Sequence, residues 1–183
     1  MVGTLQAFWR LSESVLPPSA LTPGSTYHFF RRGIKPTWED PANVNGGRWV
    51  YFVAKDPAYV DFAWSRIQMG LVGCLIDVAD HVNGIVCQRR RQGDRLSIWI
   101  RGDLTQDEIL GVAKRTAEVL EYKVKKPGGG KYCFDFQAHP PDRASKVKSC
   151  QAAVTTAFGS SAVEQSLDNP AIRSLPPDAF EKK

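Results

Sequence analysis

Apolar residues recur at helical spacing in three segments of the chain. In the clearest one, Asp56 supplies an N-cap, a proline opens the first turn, and apolar residues follow every three or four positions from Pro57 to about Leu75. A second helix is predicted to begin at the capping box TQDE at Thr105. A shorter apolar segment, Leu5 to Leu16, predicts a helix that two prolines end.

Five segments between these helices have the length and the β-branched or aromatic content of strands. They are Tyr27 to Phe30, Arg48 to Val53, Gly84 to Arg90, Arg95 to Arg101 and Lys131 to Gln137. The turn signal Gln92-Gly93-Asp94 predicts that the third and fourth form a hairpin. Helices separated by such strands predict an α+β fold with helices on one face of a sheet.

Alternation along the hairpin places charged and apolar side chains on opposite faces. With a loop at Arg91 to Asp94, Arg90 faces Arg95, and Arg95 shares its face with Trp99. The opposite face, made of Leu96, Ile98 and Ile100, should meet the helices. Like charges placed opposite each other destabilise a sheet, and a bound anion would reverse that effect. A solvated basic face is the alternative interpretation.

The amino-acid composition limits which kinds of partner and cofactor we expect. The chain has 183 residues, and 24 Lys and Arg against 19 Asp and Glu give a net charge of +5, which favours an anionic partner. The cysteines and histidines show no metal-ligand or disulfide spacing, and no apolar run reaches the ~18 residues of a membrane span, so we expect no metal, no cofactor and no membrane. We predict one domain over 1–150 and a disordered tail over 151–183.

The loop GIKPTWEDPANVNGGRW, from Gly33 to Trp49, holds the most informative side chains. Trp38 either fills a gap in the core or offers a stacking platform to a flat ligand. Glu39 can accept two hydrogen bonds from the edge of guanine. Together with the arginines Arg48, Arg90 and Arg95, these residues predict a site for a positively charged guanine that carries phosphates, the 7-methylguanosine cap of messenger RNA.

These residues resemble those of the eukaryotic translation initiation factor 4E family of cap-binding proteins. The resemblance lies in GIKPTWED, NVNGGRW, GDRLSIW and the pair Phe8-Trp9, and it extends from about Val2 to Lys148. It implies a curved antiparallel sheet with about three helices on its convex face. It also implies a binding protein of translation initiation rather than an enzyme.

The resemblance assigns roles by position. Trp38 takes the place of one of two tryptophans that sandwich the methylated guanine, Glu39 that of the carboxylate that reads its edge, and Trp99 that of the tryptophan beside the N7-methyl group. The implied phosphate-binding residues are Arg48, Arg90, Arg95, Arg143 and Lys146. The other sandwiching tryptophan belongs to a segment upstream of Trp9 and has no counterpart here. We therefore expect a longer native N-terminus or cap binding about 5- to 150-fold weaker.

A protein partner is implied as well. In the family, a helical peptide of the scaffold subunit, or of repressors that mimic it, docks around the tryptophan matched by Trp9. The implied partner-binding residues are Leu5, Trp9, Phe62, Arg66 and Met69. Arg66 replaces a glutamate of typical members, so a different partner or register stays open, as does a purely structural role for Trp9.

Two alternatives to a cap-binding initiation factor remain. One is a homologue that acts as a translational repressor or protein-interaction module, with or without a working pocket. The other is an enzyme that hydrolyses nucleotides or caps. We expect a monomer in the cytoplasm, with the nucleus as an additional location.

Overall fold

The computed structural model describes residues 3–53, 56–120 and 134–139. The described helices are α1 (Leu5–Ser14), α2 (Pro57–Val72) and α3 (Gln106–Val119), with a one-turn 3₁₀ helix at Pro18–Ala20. The described strands are β1 (Thr26–Phe30), β2 (Gly47–Val53), β3 (Val82–Gln88), β4 (Asp94–Ile100) and β5 (Phe134–Ala138). The predicted tail over 151–183 lies outside the described residues.

Local capping explains where the two long helices begin. The Asp56 carboxylate accepts the backbone N–H of Tyr59 at 3.1 Å at the start of α2. At the start of α3, the Thr105 hydroxyl and the Glu108 carboxylate accept each other's backbone N–H groups, as the capping box predicts. Helix α2 ends at Val72, a little before the predicted Leu75, because Gly73 forms its C-cap and donates its backbone N–H to carbonyls of the last turn.

The strands form one antiparallel sheet in the order β1-β3-β4-β2-β5. Helices α2 and α3 supply Val60, Ile67, Ile109 and Val112 to a core shared with the strands. The indole N–H of Trp49 donates to the Ile109 carbonyl at 3.0 Å and ties β2 to α3. Three helices and an open antiparallel sheet among the described residues therefore confirm the predicted α+β fold.

The two faces of the sheet differ in what covers them. The helix-covered face carries the core side chains, among them Trp49, Tyr51, Leu96, Ile98 and Phe136. The residues between them point the other way and define the open face. Strand pairing arranges it in rows, one of Phe30, Gly84, Trp99, Arg48 and Gln137, another of Gln88, Arg95 and Phe52.

Candidate functional site

The open face brings together three of the side chains expected to bind the ligand. Arg48 is paired with Trp99 on one side and with Gln137 on the other, and Arg95 lies four residues before Trp99 on the same strand. Side chains four residues apart on a strand point to the same face. Arg48, Arg95 and Trp99 therefore share one surface, as alternation predicts.

Arg48 is held in place by its neighbours. Its Nε and Nη2 donate to the side-chain oxygen of Gln137 at 3.1 and 2.9 Å, and its guanidinium lies 5.7 Å from the centre of the Trp99 ring. Gln137 is a residue that the sequence analysis missed, since a single glutamine in a strand carries no pattern. A neutral amide orients Arg48 without cancelling its charge.

The arginines of the open face repel one another. Burial, and then the charge of Arg95, lowers the pKa of Arg48. Burial, and then the charge of Arg90, lowers the pKa of Arg95, while Asp135 acts in the opposite direction. The charge of Arg95 thus disfavours that of Arg48, and the charge of Arg90 disfavours that of Arg95. A polyanion bound between them would reduce that repulsion.

Trp99 forms the floor of this face rather than an exposed platform, because it is only 6% exposed. The Phe30 ring meets it edge-on at 5.7 Å, and the His139 ring lies 4.5 Å away. Gly84 allows this packing, since a Cβ there would come within 2.3 Å of the Phe30 ring. Phe30 and His139 were not found from the sequence, where they read as ordinary strand and loop residues.

His139 keeps the floor free of a further positive charge. Burial, and then the charge of Arg48, lowers the pKa of His139 to about 4, although a hydrogen bond with the backbone of Asn43 acts in the opposite direction. The imidazole is therefore neutral near pH 7. A cationic base above Trp99 would meet no charged histidine below it.

Trp38 and Glu39 lie on the loop between β1 and β2, which polar side chains fold. Asp40 accepts the backbone N–H groups of Lys35 at 2.9 Å and Ala42 at 3.0 Å, and these bonds are the main cause of its lowered pKa. The Asn43 amide donates to the carbonyls of Lys35 and Thr37 at 2.8 Å each. This short-range network shapes the stretch that carries Trp38 and Glu39.

The side chains at the top of the loop face solvent. Trp38 is 48% exposed, so it does not fill a gap in the core, and Glu39 is exposed as well. Within the described residues, Glu39 makes no hydrogen bond or ion pair, whereas Asp40 is occupied with the backbone. The Asp40 carboxylate therefore stabilises the loop while the Glu39 carboxylate stays exposed to solvent, and the two do not form an acid-base pair.

The predicted hairpin register is wrong. Arg95 pairs with Gln88, where β3 ends, and Arg90 lies in the turn instead of opposite Arg95. The cause is Asp94, which is 2% exposed, accepts the Arg90 backbone N–H at 3.0 Å and forms a salt bridge with Arg89. Arg90 remains exposed near Arg95. The two phosphate-binding candidates thus meet through the turn and not through a cross-strand pair.

A separate apolar groove lies between α1, β1 and α2 and has a volume of about 730 Å³. Its lining includes three of the expected partner-binding residues, Trp9, Phe62 and Met69, together with Phe8 and Trp64. Trp9 is 40% exposed, which argues against a purely structural role. In contrast, Trp49 and Trp64 are buried, as expected of core tryptophans.

Two of the expected partner-binding residues lie apart from the groove lining. Leu5 is exposed in the first turn of α1. Arg66 is only 8% exposed, and its guanidinium lies 5.2 Å from the centre of the Phe62 ring. The predicted phosphate-binding residues Arg143 and Lys146 lie outside the described residues.

The described part of the chain offers no group of three or more His, Cys, Asp or Glu side chains that could hold a metal ion. None of its helices is long and apolar enough to cross a membrane.

Sequence comparison places this chain among known proteins. A family model described as "Eukaryotic initiation factor 4E" matches residues 1–153. The eukaryotic translation initiation factor isoform 4E of Arabidopsis thaliana is 36% identical over 146 residues, which are 78% of this chain and 70% of that protein. Its counterpart in Prunus domestica is 34% identical over 118 residues, 64% of this chain and 55% of that protein. The chain thus spans little more than half the length of the latter relative.

Solved structures show the same fold. Ascaris suum eIF4E-3 with an m7G cap has a TM-score of 0.67 and 32% identity, with 75% of each chain covered. C. elegans eIF4E-3 with the 4E-binding protein Mextli and a cap analog has a TM-score of 0.65 and 29% identity, with 81% of this chain and 77% of that chain covered. Schistosome eIF4E complexed with m7GpppA and 4E-BP has a TM-score of 0.67 and 32% identity, with 78% and 75% covered.

Proposed function

The chain belongs to the eukaryotic initiation factor 4E family, and from that premise we propose that it binds the 7-methylguanosine cap of messenger RNA on its open face and acts in translation initiation. The observation that carries the proposal is the cluster of Arg48, Arg90 and Arg95 beside the Trp99 floor. A polyanion with a flat cationic base is complementary to both parts of this surface. The nematode and schistosome neighbours with bound caps support this proposal.

Each residue has a physical role in the proposed complex. Trp38 stacks on the methylated guanine, because an exposed indole attracts a positively charged ring. Glu39 accepts the two N–H groups on the guanine edge. Trp99 contacts the methyl group, and Arg48, Arg90 and Arg95 neutralise the phosphates, with Arg143 and Lys146 as further candidates.

Tryptophan fluorescence during titration with 7-methyl-GTP and, separately, with GTP tests the proposal. We expect quenching by the methylated nucleotide alone in the wild type and none in Trp38→Ala. Trp9→Ala is the matched control, because it removes a comparably exposed tryptophan from the groove, away from the open face. Equal response to both nucleotides, or an unchanged response in Trp38→Ala, would refute cap recognition through this loop.

We propose that the groove receives a segment of a protein partner, either the scaffold subunit of the initiation complex or a repressor. The neighbours solved with Mextli and with 4E-BP support this role. Exposed Trp9 beside Phe62 and Met69 offers the apolar surface that an amphipathic helix needs. Co-purification with a peptide from a 4E-binding protein should be lost in Trp9→Ala and retained in Trp38→Ala.

The second candidate function is a translational repressor or protein-interaction module. The observation that favours it is Arg66, which is buried beside the Phe62 ring and takes the position where the resemblance implies a glutamate. Partner binding without cap retention would support this alternative. A hydrolase is disfavoured, because the family is one of initiation factors and not of enzymes. We further propose a monomer that functions in the cytoplasm.

A further inference from the structure

Phe52 is the exposed aromatic side chain at the far end of the open face. It lies one residue before the end of β2 and is 40% exposed, whereas its neighbours Tyr51 and Val53 point to the core and are buried. The Arg95 guanidinium lies 4.9 Å from the centre of its ring. An aromatic ring paired with an arginine on a solvent-facing sheet surface adds nothing to the core and is available to a ligand.

The position of Phe52 relative to the proposed cap site indicates which part of a ligand it can reach. Phe52 follows Arg48 by four residues on β2, and Arg95 precedes Trp99 by four residues on β4. At about 3.3 Å per residue, each pair is separated by roughly 13 Å along its strand. Trp99 and its partner Arg48 therefore lie at one end of the open face, and Phe52 and its partner Arg95 lie at the other.

We propose that Phe52 and Arg95 stack the base of the first nucleotide joined to the cap through its triphosphate. This inference rests on the proposed function, because it takes the methylguanine to lie above Trp99 and the phosphates to lie against Arg48, Arg90 and Arg95. A base stacks on an aromatic ring or on a guanidinium plane whatever its identity. The site therefore favours a second nucleotide without selecting which base it carries.

Charge distinguishes this occupant from an apolar peptide. Arg95 lies over the Phe52 ring, and Arg90 lies close enough to Arg95 to lower the pKa of its guanidinium, second only to burial. Asp135 offsets only part of this repulsion, and an apolar peptide would add no negative charge, whereas a nucleotide brings the phosphates that accompany its base.

Three ligands and three proteins test the inference. The ligands are 7-methyl-GTP, the cap dinucleotide m7GpppA, and a matched analogue whose second nucleoside is an abasic ribose, so that the phosphate bridge stays constant. The proteins are the wild type, Phe52→Leu, which keeps apolar volume without a ring, and Phe52→Tyr, which keeps the ring. Calorimetric titrations at one fixed salt concentration measure all nine affinities.

We expect the wild type to bind m7GpppA about 5- to 150-fold more tightly than the abasic analogue, the range for one stacked base. Phe52→Leu should lose most of this preference, Phe52→Tyr should retain it, and both should bind 7-methyl-GTP as the wild type does. Equal binding of the two bridged ligands by the wild type, or an undiminished preference in Phe52→Leu, overturns the inference alone. Failure of the wild type to bind 7-methyl-GTP overturns the proposed function and this inference with it.

Discussion

The two faces of the sheet are built from the same strands and satisfy their polar groups differently. On the helix-covered face, the Trp49 indole donates to the Ile109 carbonyl and the Tyr51 hydroxyl bonds that of Tyr59 at 2.9 Å. On the open face, Trp99 Nε1 and Arg95 Nε are buried without a hydrogen-bond partner among the described residues. Buried polar atoms without partners are unfavourable for folding. The polar groups named on the first face are therefore paired by folding, whereas the second face keeps polar atoms unpaired within the described part of the chain, which is consistent with the binding role that we propose for it.

The largest expected change in stability comes from a substitution on the helix-covered face. Trp49→Ala should lower the free energy of unfolding by about 3–5 kcal/mol, because a fully buried indole leaves a cavity and its carbonyl partner loses a donor. Urea denaturation followed by circular dichroism measures the change. A loss below about 1 kcal/mol would mean that this face does not carry the stability assigned to it.

The next effect concerns pH and belongs to the open face. The pKa of His139 is lowered to about 4 in the folded chain from an ordinary 6.5, so the unfolded chain binds the proton first as the pH falls. The neutral form therefore contributes stability that is complete above pH 6.5 and is lost progressively down to about pH 4, by at most ~3 kcal/mol.

Urea titrations of the wild type and His139→Phe across this pH range isolate the effect. The carboxylates of Asp40, Asp103 and Glu108 have pKa values lowered from 3.8, 3.8 and 4.5, so their stabilising effect begins to fall only at the acidic end of this range and is lost mainly below it, in both proteins alike. The free energy of unfolding of the wild type minus that of His139→Phe should therefore rise from pH 4 to 6.5 and then stay constant. A flat difference would show that His139 is not held neutral.

The smallest effect on folding and the clearest one on binding come from the arginines. Arg95→Met should leave the free energy of unfolding unchanged or slightly higher, since it removes a partly buried cation that the charge of Arg90 disfavours. The same variant should bind 7-methyl-GTP about 10- to 100-fold more weakly, because a hydrogen bond to a charged group contributes ~1.5–3 kcal/mol.

The salt dependence of binding is a second test of the role of Arg95. In the wild type, the logarithm of the affinity for 7-methyl-GTP should fall linearly with the logarithm of salt concentration, and the slope should be shallower by about 0.7 in Arg95→Met. An equal slope in both proteins would remove Arg95 from the phosphate site. Thermal unfolding of both proteins at each salt concentration is the control for changes in stability.

Prediction from sequence succeeded where the signal was local. The capping box at Thr105 and the alternation through Leu96, Ile98 and Ile100 depend on neighbours in the chain, and both are found as expected. Prediction failed at the hairpin register, where the buried Asp94 carboxylate binds Arg89 and the Arg90 backbone and moves Arg90 into the turn. A turn motif alone does not reveal which carboxylate will be buried.

The candidate site shows the same division. Trp38, Glu39 and the arginines were identified from residue types and from their resemblance to a family, since a stacking ring, an acceptor and cations are recognisable in a sequence. The residues that shape the floor were not, because Phe30, His139 and Gln137 acquire their roles only through contacts across strands. Such contacts join residues far apart in the chain and leave no periodic pattern.

The sequence by itself therefore determined the helices, the strands and the two faces of the sheet, and it suggested the chemical character of the ligand that we propose. These follow from capping, alternation and side-chain type, which act over a few residues. Only the tertiary structure decided that Trp99 is a buried floor, that Asp94 organises the turn, and that Phe52 lies exposed beside Arg95. The reason is that burial and pairing depend on which strands become neighbours, and that choice is made by the packing of the whole sheet against its helices.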